Sequence, residues 1–460
     1  MDLLARRHKK QSAWTLGTAA LLIALACSAA FSSGPSEPTV RVGLLRFFSA
    51  VKQVATSASF GHIVTDCATG GKIVSVADGS PTVLRASGAG LLIERSGSTP
   101  ISVSSAVVVT ATDPCATVKV ESPTRPTREY RGAVEIIARR GALTLVNTVG
   151  LEDYVRGVVP EEMPASYPTE ALKAQAVAAR TYALANVGKH KSDGYDLCDT
   201  NMCQHYGGAS AEKAKCSEAV AETRGAVLVF QGRPANVMYS TDCGGATQDY
   251  SESHPGKAIP YLRCVVEPEG IIHRTWELKL SLKQLQERLL AAGVTQADGL
   301  KAIRVTVTSP SGRPQELEIT GTSGTAKVPG YRLRAVLGQH TLKSTMYSVE
   351  TLPDGWVLFR GKGVGHGHGM CQVGSKALAL PPFRYSFDRI LAHYFPGTEL
   401  SPCAAVPSDL AQQVTSTEPT EVAEEKKQNI GPSPEETESA PPEKPKEIKL
   451  RVRLKAPGRL

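Results

Sequence analysis

Two adjacent glutamates, Glu161 and Glu162, stand between Pro160 and Pro164. A carboxylic acid with a pKa near the working pH can deliver a proton to a leaving oxygen, the step that breaks a glycosidic bond. Ordinary glycosidases flank that bond with two carboxylates. One glutamate suffices when the sugar's own 6-hydroxyl attacks, because the same carboxyl can protonate the leaving oxygen and deprotonate the hydroxyl. A second cluster lies at 190–206, where His190, Cys198, Cys203 and His205 offer two imidazoles and two thiols, a zinc complement. A Cys198–Cys203 disulfide is the competing reading. Gln204 and Tyr206 follow in the same run. The stretch Tyr239 to Thr247 supplies Ser240 and Thr247 as hydroxyl donors, and Gly244 and Gly245 allow a flat ligand close to the backbone. In Gly365 to Gln372 two histidines, His366 and His368, sit in a glycine loop ahead of Cys371 and Gln372. They could bond a ligand or hold a metal. The plainer readings are a charged helix entrance, glycine turns and satisfied histidines.

The elements that must hold these groups follow from pattern. From Thr169 to Val187 there is no Gly or Pro, and Leu172, Ala176, Ala179 and Ala183 draw one apolar stripe at helical spacing. Alanine buries little area, so such a helix gains most where neighbours pack very close. Ser166 is the expected N-cap and Pro168 the first helical residue. Glu161 and Glu162 would then sit at the entrance, where the helix field favours a negative charge. Burial against Val158, Val159 and Met163 would act the other way.

Residues 41 to about 125 read as short β-branched strands, among them VRVGLL, KIVSV, GLLIE and SVSSAVVVTAT. AVEIIA and LTLVN lead into Leu151, and AVLVF and ANVMYS follow a second helix expected at 209–223. LSLKQLQERLLAAG is an amphipathic helix capped by Ser281 and ended by Gly293. Strands are expected again at AIRVTVTS and ELEITGT, and helices at 371–380 and 386–394. The fold class is therefore α+β, with strands around a central Ala-rich helix.

The chain has 460 residues, a net charge of +8 and 41% hydrophobic residues, enough for a sizeable core. The positive balance suits an anionic surface such as a bacterial wall and is too diffuse for nucleic acid. No Walker-type phosphate loop is present. Arg6, Arg7, Lys9 and Lys10 precede an uncharged run to Gly34, the pattern of an export signal. Residues 1–34 thus read as a signal peptide or a membrane anchor, with Cys27 raising a lipid link. The remaining nine cysteines would meet an oxidising compartment, and an odd number leaves at least one outside any intrachain pair. Residues 35–125 form a β-rich region, and 404–460, dominated by Pro, Glu, Ser, Thr and Lys, a disordered tail.

The motifs carry a resemblance. Glu152 to Val159, then Glu162-Met163-Pro164, then Ala171 to Ala183 resemble the signature of the SpoIID/LytB family of bacterial cell-wall proteins. The runs at 203–208, 239–247 and 365–372 are similar to its later motifs, with Cys371 in place of the usual serine. The resemblance implies a catalytic domain over 126–403 and a lytic transglycosylase cutting between N-acetylmuramic acid and N-acetylglucosamine, with a preference for strands stripped of peptides. Glu162 takes the catalytic position. Gln204, Tyr206, Ser240, Gly244, Gly245, Thr247, His366 and Gln372 line the cleft, His366 contacting substrate or orienting Glu162. No cofactor is required. Some relatives resemble a zinc-bound version of the cysteine loop, with a histidine where this chain has Met202. The competing function is a non-catalytic enhancer of a wall amidase. Either reading implies peptidoglycan as partner, an envelope location and membrane contact only through the N-terminal segment.

Overall fold

A computed structural model describes residues 37–403. The export segment, Cys27 and the tail from 404 lie outside the described residues.

The architecture is mixed α+β, as the strand and helix patterns imply. The alternation in Thr39–Gly43 buries Val40 and Val42, and this strand is central to how the chain closes. It pairs antiparallel with Ala142–Gly150 and parallel with Leu197–Cys198. A seven-stranded sheet continues through Ala133–Arg139, Ala106–Ala111, His62–Asp66 and Lys72–Val76. A six-stranded sheet runs from Arg125–Tyr130 through Val118–Ser122, Gln53–Ser57, Thr82–Ser87 and Gly90–Glu94 to Ile101–Val103. The boundary placed at 125/126 falls inside the strand Arg125–Tyr130, and strands from both sides of it share these two sheets.

Helix α1 is Leu151–Glu162 and helix α2 is Thr169–Ala185. Here the structure departs from the local reading. Glu161 and Glu162 end α1, with Pro160 inside its last turn, instead of opening α2. The favourable N-terminal field expected for them does not come from the helix they belong to. Ser166 does not cap α2: Pro168 holds the N-cap place, with no side-chain cap, and its carbonyl accepts the N–H groups of Ala171 and Leu172. The stripe Leu172, Ala176, Ala179 and Ala183 is buried, but so are Ala171, Ala174, Val177 and Ala178. Short side chains let neighbours approach from nearly every side, so α2 is a rod within the core. Around it pack α1, α3 (Ala214–Glu222), the strand Ala226–Phe230, and two late helices, Gln372–Leu378 and Phe387–Tyr394. The second helix expected at 209–223 is split, a single 3-10 turn at Ala209–Ala211 preceding α3. Of ANVMYS only Tyr239–Ser240 is strand.

Residues 275–362 form a part with its own core, built on Trp276, Leu285, Leu289, Ile303, Leu317 and Phe359. It holds two three-stranded sheets, Thr275–Ser281 with Trp356–Lys362 and Met346–Thr351, and Ala302–Thr308 with Pro314–Gly321 and Gly324–Pro329. Its first helix, Leu282–Ala291, carries the expected cap as a full capping box between Ser281 and Gln284. The chain enters this part after one glycine motif and leaves it before another, yet the motifs rejoin. Tyr239–Ser240 and Met370–Cys371 pair as parallel strands, and Asp242 and Val364 exchange backbone hydrogen bonds. No helix among the described residues is long and apolar enough to cross a membrane.

Candidate active site

Helix α1 delivers Glu162, and the loop 204–208 meets it. That loop lies tight on α1 because Gly157 has no side chain: a Cβ there would stand 2.5 Å from the Tyr206 ring. The Gly157 carbonyl accepts the Gly207 N–H at 3.1 Å. Tyr206 stacks against Tyr154, and its hydroxyl donates to Asn147 Oδ1 at 2.7 Å. So anchored, the loop presents the His205 N–H to Glu162 Oε1 at 2.7 Å, with His205 Nδ1 3.4 Å from the same oxygen. Oε2 carries no hydrogen bond among the described residues, and the side chain keeps 14% of its surface open. The hydrogen bond to Glu162 outweighs burial and raises the His205 pKa. Tyr154, Tyr182 and Tyr239 surround the carboxylate; burial pushes all three phenols up, and the charge of Glu162 adds to it.

Glu161 has a different environment. Arg46 pairs with it at 2.7 Å. Arg46 is set by Asp199, whose Oδ1 accepts the Leu45 and Arg46 N–H groups at 2.8 Å each. Burial pushes the Asp199 carboxyl up to about 7 in spite of these two donors. Of the two adjacent acids, Glu161 is therefore paired with the Arg46 guanidinium and Glu162 with the backbone and ring of His205, each keeping one oxygen without a hydrogen bond among the described residues.

Several residues expected to line a cleft turn inward. Gln204 accepts from the Tyr154 hydroxyl at 3.1 Å and donates to the Tyr239 hydroxyl at 2.7 Å. Tyr206 is 1% exposed. Thr247 is buried between the Arg263 carbonyl and the Val265 N–H. Gly244, at φ +82°, makes room for residues 346 and 362: a Cβ would stand 2.9 Å from Met346 Sδ and 3.0 Å from the Lys362 carbonyl. Gly245 faces more open space, its nearest neighbour on that side being His273 at 3.8 Å. Ser240 Oγ is buried without a hydrogen-bond partner, and Gln372 donates to Gln175 of α2 at 3.3 Å. The imidazole that meets Glu162 is His205. His366 instead accepts the His368 N–H at Nδ1, 3.0 Å away, and stacks on His368. Burial, with Arg334 adding to it, brings the His366 pKa down to about 4, so the ring is neutral.

Of the four proposed metal ligands, three converge. The donor atoms of His190, Cys198 and Cys203 lie within 4.8 Å of one another, with His190 Nε2 3.3 Å from Cys203 Sγ. His205 is engaged by Glu162 and lies outside that group. The Cys203 thiol and His190 hold the Cys198 thiol well below the usual range, against its burial. His190 Nδ1 lies 3.5 Å from Asp193, the kind of outer partner that orients a metal-bound imidazole. Two sulfurs, one depressed in pKa, and an oriented imidazole fit a soft divalent cation.

Sequence reasoning missed a buried charge cluster. His273 Nδ1 lies 2.6 Å from Asp242 and its Nε2 2.9 Å from Glu267, and the Tyr394 hydroxyl donates to Glu267. Burial opposes the charge on His273, but the two carboxylates overcome it and push the pKa up to about 10. No local signal marks this set, since its members come from three separate stretches, at 242, 267–273 and 394. Arg313 was missed in the same way. It is buried and donates to the carbonyls of Ala246 and Cys243 at 2.9 and 2.8 Å, fastening the part at 275–362 to the glycine turn.

Residues 139–230 match the family described as stage II sporulation protein (SpoIID). Residues 253–369 match a domain of unknown function (DUF8618), close to the part with its own core. Stage II sporulation protein D of Bacillus amyloliquefaciens is 30% identical over 306 residues, covering 60% of this chain and 83% of that protein. An uncharacterized protein of Brachyspira hyodysenteriae is 32% identical over 274 residues, covering 59% of this chain and 72% of that protein. The amidase enhancer of Bacillus subtilis is 32% identical over 294 residues, but the match spans only 40% of its length. Two relatives covered over most of their length, and the signature helices built as one buried unit, lead to one statement: the chain belongs to the stage II sporulation protein D (SpoIID) family.

Proposed function

We propose that the protein is a peptidoglycan lytic transglycosylase in which Glu162 is the single acid and base. The observation that carries this reading is the unequal treatment of the two adjacent glutamates. Glu161 is ion-paired to the permanent charge of Arg46, whereas Glu162 is held at one oxygen by the His205 N–H with a titratable imidazole beside it. A fixed carboxyl with a free oxygen can protonate the bridging oxygen between N-acetylmuramic acid and N-acetylglucosamine. Left as a carboxylate, it can then accept the proton of the 6-hydroxyl as that oxygen closes the anhydro ring. No water needs activating, so no second carboxylate is required beyond the one in place. The His205 imidazole stands where it can answer the charge that remains on Glu162.

No cofactor enters these steps. Zinc at His190, Cys198 and Cys203 would brace the loop that carries Gln204, His205 and Tyr206, and so act through position. A Cys198–Cys203 disulfide would brace it in the same way.

The test is digestion of purified glycan strands. The protein should release anhydromuramyl ends, and Glu162→Gln should cut the rate by roughly 10²-fold or more, the scale of a lost general acid. A second reading is favoured by the similarity to a protein named amidase enhancer. On that reading the chain binds peptidoglycan and speeds a partner amidase. Absence of anhydro ends from either form, with faster amidase turnover when the protein is added, would replace the first reading with the second.

A further inference from the structure

Cys243 and Cys371 are 128 positions apart and both buried, at 1% and 0% exposure. They belong to the two glycine motifs that the fold reunites after the part at 275–362. The backbones around them are tied at several points. Ser240 is the strand partner of Cys371, Asp242 and Val364 exchange hydrogen bonds of 3.0 and 2.8 Å, and the Val373 N–H reaches the Thr241 carbonyl at 3.0 Å. The Cys243 N–H donates to Cys371 Sγ at 3.2 Å, and the Gly374 N–H donates to the same sulfur at 3.2 Å. Cys243 Sγ in turn accepts the Gly245 N–H at 3.4 Å. The two sulfurs lie within 4.8 Å of each other, and both are thiols in this structure.

Asp242 and His273 join these sulfurs in a four-group cluster that has the composition of a metal site. The histidine argues against one. Both of its ring nitrogens are taken up, by Asp242 at 2.6 Å and by Glu267 at 2.9 Å. A metal would need one of those nitrogens deprotonated and turned away from a carboxylate inside the core. The sulfurs hold only backbone N–H donors, whose bonds a disulfide sulfur can still accept, and face no carboxylate that would have to be displaced.

We propose that Cys243 and Cys371 form a disulfide that locks the glycine turn at 243–247 to the loop carrying His366 and Gln372. In forming it, two S–H bonds break and one S–S bond forms. The two electrons and two protons pass to a second disulfide, that of an oxidised dithiol protein or of oxidised glutathione, which is reduced to two thiols. The bond closes a covalent loop around the whole 275–362 part, so it restrains the unfolded chain strongly.

The experiment is peptide mapping of the full chain, equilibrated with oxidised glutathione, denatured and alkylated without reduction. The expected result is a linked pair of peptides containing Cys243 and Cys371, two hydrogens lighter than their sum. Reductant should lower the melting temperature, and the drop should be smaller in the Cys243→Ser/Cys371→Ser double variant, which keeps Cys198 and Cys203. Recovery of both cysteines fully alkylated would overturn the proposal. So would a link from either one to a different cysteine, or zinc at one per chain that disappears in the double variant. None of these readouts depends on glycan cleavage, so the transglycosylase reading stands or falls separately.

Discussion

At the scale of the residue, Glu162 and His205 are one unit. Glu162 raises the pKa of His205 through the hydrogen bond between them. A histidine whose folded pKa lies above its unfolded value of 6.5 adds stability below pH 6.5 and loses it as pH rises through the folded value. Removing the carboxylate charge should therefore return the imidazole towards its ordinary range. NMR titration of His205 should show a lower pKa in Glu162→Gln than in the parent chain; equal values would mean that the two groups do not interact in solution. The cluster of Asp242, His273 and Glu267 is closed to solvent instead. His273 is about 10% exposed and the carboxylates are nearly sealed, so its charge serves the fold. Replacing His273 by Asn would leave two buried carboxylates facing each other, a loss on the order of 3 to 5 kcal/mol. Chemical denaturation at neutral pH reads that loss, which should shrink in acid as the carboxylates take up protons.

At the scale of the element, the α1–loop contact decides where His205 stands. Gly157 lies inside a helix, where alanine is ordinarily the better residue by about 1 kcal/mol. Here a Cβ would meet the buried Tyr206 ring at 2.5 Å. Gly157→Ala should therefore destabilise the protein, by roughly 1 to 3 kcal/mol for an overpacked core site. Urea unfolding measures this, and a gain in stability would show that the loop does not pack on α1 as described. Helix α2 shows the converse use of small residues. Its alanines admit neighbours on nearly all sides, and it carries two long polar side chains into the core, Gln175 and Arg180. Arg180 makes two bonds of 2.8 Å to Glu152 of α1 and one of 2.9 Å to the Ala226 carbonyl. This bidentate pair ties the two signature helices to the strand that follows them.

At the scale of the molecule, two large hydrophobic clusters share one chain, with a small third one around Val146, Tyr195 and Cys198. One spans both large sheets, α1, α2 and the late helices; the other lies wholly within 275–362. Cooperative opening follows packed units. Amides near Leu285, Ile303, Leu317 and Phe359 should exchange hydrogen together, with a protection different from those near Val107, Val134 and Ala176. A single common opening energy for both groups would contradict the division. Arg313 makes the seam between them polar, since its donors end on carbonyls of the glycine turn.

Residue order alone carries what short-range rules control. The signature around Glu162 named the family, and alternation placed strands such as Lys72–Val76 and Ala133–Arg139 but passed over others, Thr275–Ser281 and Trp356–Lys362 among them, while the Ser281–Gln284 capping box was legible because it is made within four residues. The absence of Gly and Pro predicted α2 to within two residues of its true end. Packing settles which helix owns Glu162, that His205 and not His366 faces it, and that Gln204, Tyr206 and Thr247 place their polar atoms inside the protein. It alone joined Asp242 to His273 and Glu267, and Cys243 to Cys371. The reason is physical. A local pattern is set by the backbone's own dihedral and hydrogen-bonding preferences, whereas a contact between residues over a hundred positions apart exists only after sheets close and helices pack.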